Sequence, residues 1–360
     1  MKILILTNLD MGLYKFRKEL ICELCKKNRV IAALPCGEYI EALRDLGLEC
    51  IDFEFKRRGM NPFRDFCQLI RYIKLIKNTK PDVVLTYTIK PNVYGGMACR
   101  YLKVPYMANV TGLGTAIENG GILSLLAKKL YRIGLSDAKC VFFQNEENQR
   151  VFKEWEIVKN NYRLIPGSGV NLNTYPLEEY PKDDENIRFL FIGRVMKDKG
   201  IDELLEAIEN IHKKHKNVSL DIIGICEEDY EQRLADVEKK GFVRYHGRQK
   251  EVNSFIKDAH CCVLPSYHEG LANVMIESAS TGRPVITTRV PGCIETFEEG
   301  VTGFGCEPKS AESLTAAMEK FLALSQAERE QMGKNGRKKA ENEFDRKFVV
   351  DAYMEEIEKI

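Results

Sequence analysis

Two glutamates eight residues apart, Glu269 and Glu277, are spaced to hold a ligand rich in hydroxyl groups. They lie in the stretch S-Y-H-E-G-L-A-N-V-M-I-E at 266–277. A short apolar run at 261–264, ended by Pro265, reads as a buried strand ahead of it, and 273–279 reads as the start of a helix. Glu269 then falls in the loop at the helix mouth and Glu277 about two turns in. A helix mouth offers unpaired N–H groups and a positive dipole end, which suit a phosphate, while the carboxylates suit hydroxyls. That combination describes a sugar-nucleotide site. Spacing alone fits equally well a solvated glutamate before a helix and a second one on its polar face. A further pair, Arg194 and Lys199, sits in G-R-V-M-K-D-K-G at 193–200, after another expected strand. The arginine fork and the lysine point charge can together hold a diphosphate, although each by itself, like Lys197, also reads as a solvated loop charge.

The elements that must position these groups alternate along the chain. Strands are expected at 2–6, 30–34, 49–53, 81–86, 105–109 and 139–143, separated by helices. The helix opening at Asn61-Pro62 places Phe63, Phe66, Ile70, Ile73 and Ile76 at helical spacing. Polar, proline-containing residues at 171–186 interrupt the pattern, which restarts with strands at 187–192, 219–223, 243–246, 261–264 and 284–287. Three more helices follow, at 310–323, 326–342 and 346–360. The expected organisation is an N-terminal acceptor-binding domain at 1–170, a linker at 171–186 and a donor-binding domain at 187–345, with helix 346–360 returning to the first domain. Each domain is α/β with a doubly wound, Rossmann-like parallel sheet. Their strand ends are expected to face each other across a cleft, where such sheets bind ligands. The loop after the first strand reads T-N-L-D-M-G-L, not G-x-G-x-x-G, and no Walker A pattern occurs. Both gaps argue against a standard dehydrogenase and a P-loop nucleotidase.

Composition narrows the partners. With 44% hydrophobic and 30% charged residues the chain reads as a globular protein of ordinary solubility. The net charge of +1 conceals an asymmetry: residues 1–170 carry 27 Lys+Arg against 17 Asp+Glu, and the remainder 27 against 36. The basic half suits a pyrophosphate-bearing acceptor or an anionic membrane surface. It lacks the interleaved aromatic and basic residues of nucleic-acid readers, so no nucleic acid is expected. The twelve cysteines are scattered, and Cys22 and Cys25 lie inside a helical pattern with no second pair, which reads as reduced thiols in the cytoplasm. No signal peptide and no apolar run of about 18 residues is present, so the expected location is cytoplasmic, with peripheral binding to the inner face of the membrane. No D-x-D occurs, and Asp183-Asp184-Glu185 lies in the expected linker, so neither a metal nor a cofactor is expected.

Three motifs converge on a family. G-R-x-x-x-x-K-G, P-S-x-x-E-G-x-x-N-x-x-x-E and G-x-P-V-I-T, within 188–304, resemble the second half of retaining glycosyltransferases of family four, which have the GT-B fold. T-Y-T-I-K-P-N-V-Y-G-G at 86–96 and N-V-T-G-L-G at 109–114 resemble bacterial members that extend undecaprenyl-diphosphate-linked glycans for capsule, exopolysaccharide or glycoprotein assembly. The resemblance implies that Arg194 and Lys199 bind the donor diphosphate and stabilise it as it leaves. It implies that Glu269 contacts the donor sugar, that Glu277 holds the ribose hydroxyls, and that Gly270, Leu271, Ala272 and Asn273 offer backbone N–H groups near the phosphates. Gly12 matches the first-loop glycine that lets backbone approach the donor, with Met11 where the family usually has a second glycine. Lys15, Arg17, Arg57, Arg58, Lys90, Asn109 and Thr111 are expected toward the acceptor. Tyr87 and Thr111 stand where many members carry a histidine, and all five histidines lie in the second half, of which only His268 adjoins the expected site.

The implied activity is transfer of a hexose or N-acetylhexosamine from a sugar nucleotide, such as a UDP-sugar, to a sugar hydroxyl on a polyprenyl-diphosphate-linked glycan. The implied route is front-face attack without a protein nucleophile. Two other functions compete. A non-hydrolysing sugar-nucleotide epimerase would need cleft bases, typically His or Asp of the first domain. A non-catalytic sugar-nucleotide-binding protein would not need all four donor residues.

Overall fold

The computed structural model describes residues 1–53, 62–112, 121–159, 161–182 and 186–360. The chain forms two compact units, Met1–Ser168 with Arg346–Ile360, and Gly169–Asp345. The first holds strands β1 (Lys2–Leu6), β2 (Arg29–Leu34), β3 (Glu49–Asp52), β4 (Val83–Tyr87), β5 (Tyr106–Val110), β6 (Cys140–Phe143) and β7 (Tyr162–Leu164), in the order β3-β2-β1-β4-β5-β6-β7. The second holds β8 (Ile187–Ile192), β9 (Val218–Ile223), β10 (Val243–Tyr245), β11 (Cys261–Leu264), β12 (Val285–Thr288) and β13 (Gly303–Cys306), in the order β10-β9-β8-β11-β12-β13. Every strand pair is parallel. The doubly wound α/β fold expected from the alternation is therefore present twice.

Side chains two apart along a strand point to the same sheet face, so the apolar runs of β1 and β4 divide between two cores. Ile3, Ile5, Val83, Leu85 and Tyr87 face the helices Asp10–Cys25 and Arg346–Ile357. Leu4, Leu6 and Val84 face the helices Pro62–Thr79, Gly96–Leu102 and Gly121–Leu135. The last helix is locked into the first unit by Tyr353, fully buried, whose hydroxyl accepts from Asn109 Nδ2 at 2.8 Å and whose ring stacks on Phe142 at 4.0 Å. Arg346 adds hydrogen bonds to Lys15 O (3.1 Å) and to Glu19 (2.8 Å).

Two local readings change. Helix Pro62–Thr79 buries Asp65, Gln68, Tyr72 and Ile76, whereas Phe63 and Phe66 of the expected apolar face are 77% and 60% exposed. Tertiary partners decide this: Lys90 Nζ reaches Asp65 at 3.0 Å, and Tyr72 stacks on Phe53 at 5.1 Å. The stretch 171–186 is not a free linker where it is described, because 171–182 packs onto the second unit. Arg283, fully buried, donates to six carbonyl oxygens, of Glu178, Glu179, Ile256, Lys257, Thr281 and Gly282, and so ties this strap to the sheet. Tyr180 OH donates to His260 O at 2.8 Å. Asp183, Asp184 and Glu185 lie outside the described residues. All twelve cysteines are free thiols. Among the described residues no helix is long and apolar enough to cross a membrane, and no three His, Cys, Asp or Glu side chains gather as a metal site.

Candidate functional site

In an open parallel sheet, ligands bind outside the carboxyl ends of the strands, where the strand order reverses. In the second unit that point lies between β8 and β11. The chain leaving β8 stays paired: Val195 N–H donates to Ile225 O (2.8 Å) and Glu227 N–H to Val195 O (3.1 Å). The neighbouring strand end passes so close that a Cβ on Gly224 would meet Gly193 O at 1.7 Å. This sets Arg194 beside Glu227, its Nη1 donating to Oε2 at 2.9 Å. A 3-10 turn, Lys197–Lys199, then places Lys199 at the mouth of helix Ile201–Lys214. Gly200 follows with φ 69°, and a Cβ there would strike Pro265 O at 2.1 Å, so this turn lies directly against the end of β11.

The two expected donor motifs meet at that contact. Lys199 Nζ donates to Glu269 Oε1, and the two side chains are only 15% and 16% exposed. Ser266 Oγ donates to the same oxygen at 2.8 Å, a partner the sequence reading did not single out. The carboxylate therefore preorients the ammonium, which keeps further N–H donors for an incoming anion. Cys293, fully buried beneath the pair, was also missed. Burial, and then the charge of Glu269, push its thiol up to about 12, so it stays protonated and is no nucleophile. Gly292 shapes the loop from below: its φ is 83°, and a Cβ would sit 2.4 Å from Glu269 O.

Helix Asn273–Ser280 begins where expected and carries the partly exposed Glu277 on its second turn. Within its first four amides, Met275 and Ile276 N–H already donate to Ala272 O, at 2.9 and 3.4 Å, so the mouth's donors toward a ligand lie ahead of them. One expected donor is already used, because Ala272 N–H bonds Gly292 O at 2.7 Å. Gly270 and Leu271 precede it in the loop, and Asn273 Oδ1 is buried with no hydrogen-bond partner. His268 is half-exposed, its Nε2 3.8 Å from Asp198. Arg194, Lys199, Glu269, Glu277 and the 270–273 backbone thus lie on the two loops and the helix mouth at one strand reversal.

The residues of the first unit, Gly12 expected at the donor and the others toward the acceptor, are placed unevenly. Gly12 lies in the first turn of helix Asp10–Cys25, not in an open loop. Lys15 is part-exposed on that helix. Arg17 is 4% exposed, its guanidinium carbon 5.4 Å from the Tyr87 ring centre and its Nε without a hydrogen-bond partner. Lys90 is committed to Asp65. Asn109 is buried, its side chain shared between Tyr353 (2.8 Å) and Gln144 (3.2 Å). Thr111 is exposed, and Arg57 and Arg58 lie outside the described residues.

Comparisons with known proteins identify the family of the chain. Residues 2–145 match the family model described as Glycosyl transferase 4-like, and residues 177–339 the model described as Glycosyl transferases group 1. The chain is 27% identical to the N,N'-diacetylbacillosaminyl-diphospho-undecaprenol alpha-1,3-N-acetylgalactosaminyltransferase of Campylobacter jejuni, over 98% of this chain and 97% of that one. It is 27% identical to the capsular polysaccharide biosynthesis glycosyltransferase CapM of Staphylococcus aureus, over 81% and 80% of the two chains. Among solved structures, Anabaena Alr3699/HepE, crystallised with UDP and glucose, superposes with a TM-score of 0.83 at 17% identity over the whole of both chains. The chain is a glycosyltransferase with the GT-B fold, its first half Glycosyl transferase 4-like and its second half of the Glycosyl transferases group 1 family.

Proposed function

We propose that this glycosyltransferase moves a hexose or N-acetylhexosamine, with retention, from a UDP-sugar to a sugar hydroxyl of a polyprenyl-diphosphate-linked glycan in cell-surface polysaccharide assembly. The observation that carries the donor side is the convergence of Arg194, Lys199 and Glu269 at the β8/β11 reversal, beside a helix mouth. The acceptor class rests on the printed name of the Campylobacter relative, which acts on a diphospho-undecaprenol-linked sugar, and on the capsular role of CapM. UDP as the nucleotide is favoured by its presence in the HepE crystal.

In the proposed reaction the bond between the anomeric carbon and the diphosphate oxygen breaks as the acceptor hydroxyl attacks from the same face. A departing phosphate oxygen takes the hydroxyl proton, and UDP leaves. Arg194 and Lys199 supply positive charge where negative charge accumulates, which is the largest contribution such a site makes, and no metal is assigned to this role. Glu269 orients the donor sugar and Glu277 the ribose. Arg17 and Lys15 are the described cations assigned to the acceptor's diphosphate.

A thermal-shift panel tests the donor. At about 100 times its dissociation constant, a ligand that binds only the folded state stabilises it by about 2.7 kcal/mol. UDP and UDP-sugars are expected to raise the melting temperature clearly. An equal or larger rise with GDP- or dTDP-sugars would overturn the UDP assignment.

An anionic membrane surface is the second proposed partner. Phe63, Phe66, Leu125 and Leu126 are exposed on helices Pro62–Thr79 and Gly121–Leu135, which together carry seven Lys or Arg and one Asp. Apolar side chains among basic ones favour the surface of an anionic bilayer. The protein is expected to float with phosphatidylglycerol vesicles at low salt and to lose this in Phe63→Ser/Phe66→Ser. Equal recovery with phosphatidylcholine vesicles would refute the electrostatic part, and unchanged flotation of the double variant the apolar part.

A further inference from the structure

The strand order of the first unit also reverses, between β1 and β4. The crevice outside the carboxyl ends of those two strands is therefore the first unit's own ligand position by the same rule that locates the donor loops in the second. The residue that leaves β4 at this point is Thr88. Its φ is 72°, in the left-handed region, which is a genuine outlier for a β-branched side chain. Strain of this kind persists only where surrounding structure enforces it, and it gathers at ligand sites.

Thr88 is held from several sides. Asn92 N–H donates to Thr88 O at 3.0 Å and closes the turn. The Asn92 side chain accepts from Thr86 Oγ1 (2.7 Å) and donates to Asn109 O (2.7 Å), which tethers the turn across the ends of β4 and β5. A single π-helical turn, Pro91–Gly95, leads into helix Gly96–Leu102, and such turns are themselves frequent at functional sites. That helix is drawn tightly inward: a Cβ on Gly95 would lie 2.8 Å from Leu6 Cδ1, and one on Gly96 would lie 2.0 Å from Gly134 O. The chain has no slack to relax Thr88.

The turn also leaves one polar atom unsatisfied. Thr88 Oγ1 is buried and has no hydrogen-bond partner. A buried hydroxyl without a partner is costly, and a native structure that retains one calls for an explanation. The next cation along the chain, Lys90, is already neutralised by Asp65, so the turn itself offers no free charge to a phosphate. A neutral group that both donates and accepts, such as a sugar hydroxyl, fits this oxygen.

We propose that the β1/β4 crevice is the sugar subsite for the acceptor and that Thr88 Oγ1 hydrogen-bonds a hydroxyl of the acceptor sugar. The strained turn fixes that oxygen before the ligand arrives. This assignment rests on the acceptor reading given above and names one of its contacts.

Three substitutions separate the hydroxyl from the strain. Thr88→Ala removes the hydroxyl and keeps the strain, Thr88→Gly removes both, and Thr88→Ser keeps the hydroxyl. The probe acceptor is a synthetic short-chain polyprenyl-diphosphate-linked N-acetylhexosamine, with UDP release as the readout and titration calorimetry of the same probe as the direct binding measurement. Thr88→Ala and Thr88→Gly are expected to raise the acceptor KM about tenfold with the donor KM unchanged, and Thr88→Ser to stay within about threefold. Thr88→Gly is expected to melt higher than the native protein, because glycine adopts this φ freely. If Thr88→Gly melts higher while acceptor KM and affinity are native in both Thr88→Ala and Thr88→Gly, the strain is purely architectural and the assignment falls. If the native enzyme neither turns over nor binds the probe, the acceptor reading fails and this subsite falls with it. Native binding without turnover, weakened in Thr88→Ala, would support the subsite while refuting the transfer reaction assigned to that acceptor.

Discussion

Lys199→Ala is expected to lower turnover by about 100- to 1,000-fold, the usual cost of removing one preorganised group that faces developing negative charge. The effect should be large because Lys199 is held in place and largely shielded from water, whereas Arg194 is half-exposed. Removing the ammonium also takes away the cation paired with Glu269, to which Ser266 still donates, so the carboxylate would face the diphosphate without the charge of Lys199. Donor KM should therefore rise together with the fall in kcat. Lys199→Arg is not expected to restore activity, since a planar fork does not replace a compact point charge in a site closed by Pro265 and Ser266. Glu269→Ala should also be severely impaired, and the double variant should be little worse than the poorer single one, because the two side chains act as a unit. UDP release over a range of donor concentrations measures all four variants. Native-like turnover in Lys199→Ala, with the fold intact by circular dichroism, would refute the assignment of this loop as the donor site.

Arg283→Met is expected to destabilise the second unit by about 4 kcal/mol, a large value for one substitution and one that breaking a buried polar network can reach. Methionine keeps most of the packed stem but none of the donors. The carbonyls of Glu178, Glu179 and Lys257 would lose their guanidinium bonds inside the protein, at 2.7–3.2 Å in the native structure. Burial pulls the guanidinium pKa below its ordinary value, yet an arginine here stays charged, and its fixed fork reaches carbonyls on both sides at once. Lysine has neither the span nor the number of fixed donors, so Arg283→Lys should recover little. The expected readout is a fall of roughly 10 °C in the melting transition of this unit, with near-native turnover well below it. Retention of the native melting temperature would show that the strap at 171–182 is held by something other than Arg283.

Much of the second unit was legible because its signals are local. The strand at 261–264, the loop glutamate and the helix start are consecutive in sequence, and the strand–loop–helix order at 187–201 is equally continuous. Two short strands, β7 and β13, were not, although β10, also three residues long, was expected at 243–246. β13 reads G-F-G-C, which resembles a turn, but Gly303 is there because a Cβ would lie 2.1 Å from Val285 O in the neighbouring strand. The outward-facing Phe63 and Phe66 could not be read either, since helical spacing fixes which residues share a face but not which face turns inward. The acceptor side was inferred largely from charge, and charge does not report commitment: Lys90 is paired with Asp65. Nor does a motif: Asn109 of N-V-T-G-L-G is tied to Tyr353, 244 residues away.

By itself the sequence determined the two α/β halves, their parallel sheets and which charged residues follow β8 and β11, because periodicity and short motifs encode which groups sit at strand ends. Only the tertiary structure decided how those groups are used. It brought Lys199 against Glu269 and Ser266, set Cys293 beneath them, and turned the expected linker into a strap held by Arg283. It also forced Thr88 into a conformation that no local preference would choose. The reason is common to all four: each depends on contacts between segments far apart in the chain, and close packing, not local propensity, fixes which of those contacts form.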